Sequence, residues 1–154
     1  MAQNTPIPPG LRRWIADSLP HWDTDTAEDV SWDRGDSRVW RVPTAESEVF
    51  VKLSPSAKDH EREVAGYAYA ARVLAPHEAP RLLAADPGLQ AIMTSLQPGH
   101  VVRGLSLGRE EERRVHERAG DLLRRWHTSS APASKRDRDL IRASMADQAS
   151  EAAA

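Results

Sequence analysis

The chain has 154 residues, enough for one modest domain with a real core and too few for two independent ones. Hydrophobic residues make up 40% and charged residues 29%, and the net charge of -2 arises from acids and bases mixed along the chain, so composition offers no case for a nucleic-acid or membrane partner. There is no cysteine, which removes disulfides, thiolate metal sites and cysteine nucleophiles together. With no apolar leader and no run near the ~18 apolar residues of a membrane helix, a cytoplasmic protein is expected.

In chain order, residues 10–19 predict a short helix with Leu11, Trp14, Ile15 and Leu19 on one face and Pro20 at its end. The acidic stretch 23–29 predicts an exposed connection. Residues 30–32 and 39–42 predict two strands around the turn Arg34-Gly35-Asp36. A second turn at 43–48 leads to a third strand at 49–53, which carries Lys52 near its end. The recurrence of Val64, Tyr67, Ala68, Ala71 and Leu74 predicts a helix over 57–74, closed by Pro76. An apolar run at 81–85, a turn at Asp86-Pro87-Gly88 and a strand over 89–93 follow, and Pro98-Gly99 breaks the chain. A long helix over 109–127 carries Val115, Ala119, Leu122 and Trp126 on one side. Ser106 is its candidate cap, and Glu110, Glu111 and Glu112 suit the positive end of its dipole. A linker at 128–134 leads to a last charged helix over 137–151, and the five tryptophans read as core and interlobe packing.

This order, with a glycine turn between strands, then a strand lysine, then a helical glutamate, suits the binding of a nucleoside triphosphate. Glycine lets backbone N–H groups approach phosphate oxygens that a Cβ would keep away. A strand lysine supplies a point charge to the phosphates, and a glutamate on the next helix holds that lysine in place. The candidates are Gly35 with Ser37, then Lys52, then Glu63. Val49-Phe50-Val51-Lys52 has the form of a kinase lysine strand. Glu63 lies beside the apolar stripe of its helix, whereas Glu61 lies about 200° around it. The six histidines show no paired-ligand spacing, and no metal-binding residue is assigned.

Over about 32–130 the sequence resembles the aminoglycoside phosphotransferase group, relatives of choline and protein kinases. The resemblance rests on Gly35-Asp36-Ser37-Arg38-Val39-Trp40-Arg41-Val42, Phe50-Val51-Lys52-Leu53, Arg62-Glu63-Val64, Ile92-Met93-Thr94-Ser95-Leu96-Gln97-Pro98-Gly99 and Leu122-Leu123-Arg124-Arg125-Trp126-His127. It implies an α+β fold: a protein-kinase-like amino-terminal lobe over 1–95, with a five-stranded antiparallel sheet plus a helix, and hinge and carboxy-terminal-lobe helices over 96–154. It implies ATP or GTP with Mg²⁺ as cofactor and a small-molecule hydroxyl as phosphate acceptor. By the same resemblance Lys52 contacts phosphates, Glu63 pairs with it and Ser37 sits in the phosphate-covering loop. Val39 and Val51 would sandwich the adenine, and Met93, Thr94, Ser95 and Leu96 would form the hinge that reads its edge.

The family's His-Gly-Asp motif and its metal-binding aspartate have no counterpart in these residues, so no catalytic residue is assigned and a truncated, inactive nucleotide-binding half is expected. Arg136-Asp137-Arg138-Asp139-Leu140 imitates a kinase catalytic loop, but Ser144 stands where an asparagine is required, and Asp139 reads as a solvated helix charge. Without a second lobe, apolar faces of the 109–127 helix and the hinge would be uncovered and prone to self-association. The rival reading is a non-catalytic α+β interaction module that uses its helices for a protein partner.

Overall fold

The computed structural model describes residues 5–19, 22, 26–32, 36–45, 47–99 and 104–129; Gly35, Asp139 and the expected helix over 137–151 lie outside the described residues. The elements run α1 (Pro9–Ser18), β1 (Glu28–Asp29), β2 (Arg38–Pro43), β3 (Glu48–Leu53), α2 (Ala57–Val73), β4 (Leu82–Asp86), β5 (Ala91–Ser95) and α3 (Arg109–Ser129). Residues 1–105 and 106–154 form two compact units. The first holds one antiparallel sheet in the order β1-β2-β3-β5-β4.

Alternation along β2 and β3 divides this sheet into two chemically different faces. Trp40, Val42, Val49, Val51, Ala91 and Met93 point one way and form a single buried cluster with Ile7, Leu11 and Ile15 from α1 and the segment before it. Leu11 and Ile15 are one helical turn apart, so both reach this core while the opposite side of α1 stays exposed. Trp40 gives its ring to the cluster and donates its indole N–H to the Thr5 carbonyl at 2.9 Å, which ties the segment ahead of α1 beneath the sheet. Val39, Lys52 and Ile92 are cross-strand neighbours on the other face.

Two strands differ in position from the sequence expectation. The first lies at Glu28–Asp29 rather than 30–32, because the chain turns out of the sheet directly afterwards. Val30 still donates its N–H to the Val39 carbonyl. The Asp29 carboxylate then accepts the Ser31 N–H at 2.9 Å, and the Ser31 hydroxyl accepts the Val39 N–H at 2.9 Å, replacing ladder bonds by side-chain bonds. Trp32 is consequently 66% exposed rather than in the core. The last strand is Ala91–Ser95 rather than 89–93, because the turn after Asp86 runs on through Gln90. Asp86 accepts the Leu89 N–H, and Gln90 takes φ 54°, a left-handed conformation that no strand residue adopts.

Ser56 caps α2: its hydroxyl accepts the Asp59 N–H and donates to the Asp59 carboxylate. The buried positions of α2 are His60 and Ala70, with Glu63, Val64 and Tyr67 half-buried between them, whereas Ala68 and Ala71 of the expected stripe are exposed. In the second unit, Gly108 rather than Ser106 precedes α3, and Glu111 reaches back to accept the Gly108 N–H at 3.0 Å. Glu110 pairs with Arg113 and Arg114 along the exposed side of α3. No helix among the described residues is long and apolar enough to cross a membrane.

Ile15 has no solvent exposure, so Ile15→Ala should lower stability by about 2–5 kcal/mol, read from the urea midpoint. Burial alone would raise the Asp29 carboxyl, but hydrogen bonds from Ser31 and Thr5 outweigh it and hold the group below its ordinary value. A folded-state value below the unfolded one stabilises the fold above the ordinary carboxylate range, and this is lost as pH falls through that range to the lower folded value. Asp29→Asn should therefore be less stable than the wild type near neutrality and lose less stability below about pH 4, measured by urea unfolding across pH.

Candidate functional site

The face of the sheet that carries Val39, Lys52 and Ile92 opens into a cleft of about 580 Å³. Val39 and Arg41 line it from β2, Phe50 and Lys52 from β3, and Ile92, Thr94 and Ser95 from β5. Tyr67 of α2, Pro80, and the extended segment Leu96, Gln97 and Gly99 complete the walls. Apolar rings and branched side chains with a few convergent polar groups are the ordinary makeup of a small-molecule site, and this volume lies within its usual range.

At one end of the cleft the Lys52 ammonium is ion-paired and hydrogen-bonded with the Glu63 carboxylate. Lys52 and Glu63 keep 28% and 23% side-chain exposure, so the pair is sheltered but open to a ligand. An ammonium carries three donors, and this carboxylate uses one of them. The second carboxylate oxygen accepts the Ser54 hydroxyl at 3.2 Å. The side chain of His60, one turn before Glu63, bonds the Ala91 carbonyl at 3.1 Å; a carbonyl only accepts, so Nε2 carries the proton. Burial, and then the Glu63 charge, push the Tyr67 phenol above its ordinary value. At the far end, Arg41 pairs with Glu28 and lies 3.9 Å from Glu48.

The site residues named from sequence divide as follows. Lys52, Val39, Thr94, Ser95 and Leu96 line the cleft, and Glu63 meets Lys52 at its edge. Val51 does not share a face with Val39. Register pairs Val39 with Lys52 and Trp40 with Val51, and antiparallel partners point the same way, so Val51 is fully buried in the α1 core. Met93 likewise sends its side chain into that core. Met93 and Thr94 belong to β5, which pairs with β3 on one side and β4 on the other, so their backbone groups serve the sheet rather than a hinge. Ser95 exchanges bonds with Arg81 through its N–H and hydroxyl, and the chain leaves the sheet at Leu96. Ser37 directly precedes β2 and is not among the cleft-lining residues, and Gly35 lies outside the described residues.

Sequence reasoning missed Phe50, Tyr67, Ile92, Ser54 and His60. Phe50 was accessible to it, being two residues before Lys52 on one strand and so on the same face. Ser54 and His60 carry no local signal, because their partners Glu63 and Ala91 come from other elements. Among the described residues no group of three or more histidine, aspartate or glutamate side chains could hold a metal ion.

An antiparallel five-stranded sheet, a helix whose glutamate grips a strand lysine, and a cleft along that face define the α+β amino-terminal lobe of a protein-kinase-like fold. Residues 26–154 match the model of the phosphotransferase enzyme family, and the chain belongs to that family, of the aminoglycoside phosphotransferase type. No curated protein and no solved structure matches the chain.

The Tyr67 phenol gives a local probe of this arrangement. A nearby anion disfavours phenolate, so Glu63→Gln should lower the alkaline midpoint of Tyr67 while burial keeps it above the ordinary tyrosine value. Ultraviolet difference titration in a Tyr69→Phe background measures it, and an unchanged midpoint would separate the two groups.

Proposed function

We propose that the cleft binds the purine nucleoside triphosphate of a small-molecule phosphotransferase, with the base over the apolar part and the phosphates at Lys52. The observation that carries this reading is the Lys52–Glu63 pair at the end of an apolar cleft within a phosphotransferase-family chain. Val39, Ile92 and Tyr67 offer the base a flat apolar surround, and the segment from Leu96 to Gly99 supplies backbone donors and acceptors no longer committed to the sheet. The two Lys52 protons not given to Glu63 are then available to phosphate oxygens. Phosphotransferases of this kind act on nucleotide with Mg²⁺.

The residues described here bind and orient. Lys52 neutralises phosphate charge and Glu63 holds the ammonium in place, which lowers the cost of ordering a four-carbon side chain on binding. The chemical step transfers a phosphoryl group to a hydroxyl acceptor, and none of the described side chains is assigned as its acid or base.

Titration calorimetry with ATP and Mg²⁺ tests the reading. Loss of a charge-assisted phosphate contact worth about 1.5–3 kcal/mol should weaken binding roughly 10- to 100-fold in Lys52→Met. Equal affinity in wild type and variant removes Lys52 from the site. A partly exposed ion pair contributes only about 0–1 kcal/mol to folding, so the variant should unfold close to the wild type.

A further inference from the structure

The geometry points to Ser54 as a positioning residue for the phosphate-binding lysine, acting through Glu63; this rests on the nucleotide reading above. Ser54 is the first residue after β3 and is 6% exposed. Its hydroxyl donates to Glu63 Oε2 while Lys52 holds Oε1, so both carboxylate oxygens are engaged from the same strand end. A carboxylate held through one oxygen turns freely about its last side-chain bond, and a second donor on the other oxygen removes that freedom. Glu63 is thereby set before any ligand arrives, and with it the direction of the two free Lys52 protons.

Ser54 is itself held by a different part of the fold. Its N–H donates to the Gln90 carbonyl at 2.9 Å, at the end of the turn between β4 and β5. Gln90 presents that carbonyl from its left-handed conformation. The next carbonyl, of Ala91, accepts the His60 ring N–H, which fastens α2 three residues before Glu63. Two successive carbonyls thus anchor the end of the lysine strand and the glutamate helix at one point.

The experiment uses the isosteric pair Ser54→Thr and Ser54→Val, so that any packing penalty is common to both and only the hydroxyl differs. ATP affinity with Mg²⁺ is measured by calorimetry on the full chain, alone and in a Glu63→Gln background, with Lys52→Met as reference. Ser54→Val should bind ATP about three- to tenfold more weakly than Ser54→Thr, and the two should be equal once Glu63→Gln is present. Equal affinities of the two Ser54 variants with Glu63 intact, or a difference that persists with Glu63→Gln, overturn the positioning role while leaving the nucleotide reading intact if Lys52→Met still loses binding. ATP binding indifferent to Lys52→Met overturns that reading and this inference together.

Discussion

One residue step along β3 separates the core of this lobe from its cleft. Val51 is sealed against α1 and Lys52, its neighbour, looks into the opening on the other side. The pleat enforces this, because successive side chains leave a strand on opposite faces and antiparallel neighbours agree in direction. The five strands therefore carry two chemistries. A largely apolar face is covered by α1, and a mixed face is covered in part by α2 and left open along Val39, Phe50 and Ile92. Slipping β3 by one residue would place Lys52 in the core and Val51 in the cleft, and burying an unpaired ammonium is far costlier than the slip could repay.

The Lys52–Glu63 pair has the energetics of a binding device rather than of a structural one. With about a quarter of each side chain exposed, it is too solvated to add much to folding. It is sheltered enough that a second anion brought to the ammonium would interact in a medium less polar than water. The fixed supports lie around it. Ser54 and His60 are both buried, and the Ser54 N–H and the His60 ring bond the carbonyls of Gln90 and Ala91, so the lysine strand and the glutamate helix are held by contacts that do not involve the pair's own charges. The Asp86–Gln90 turn is the common origin of these supports. Its left-handed Gln90 is a local conformational cost of order 1–2 kcal/mol, retained where it sets two carbonyls in place.

The second unit shows a different balance. α3 buries none of its residues, and its charged side carries ion pairs at helical spacing, Glu110 to Arg113 and Arg114, and Asp121 to Arg124 and Arg125. Such pairs at this spacing favour a long exposed helix. Val115 and Leu123 on α3 remain exposed.

Much of this was legible in the residues themselves. The β-branched and aromatic runs at 39–42 and 49–53, the helical spacing over 10–19 and 57–74, and the order of lysine strand and glutamate helix follow from local chain geometry, which every sequence carries along its own length. The assignment of Phe50 and Lys52 to one face was within the same reach. What the chain could not state alone was which residues meet across elements: that Val51 and Met93 belong to the α1 core, that β5 ends at Ser95, and that Ser54 and His60 bond Glu63 and Ala91. Register between strands and the rotation of α2 on the sheet settle those points. Both are decided by summed packing and hydrogen bonding over the whole lobe rather than by any local run of residues.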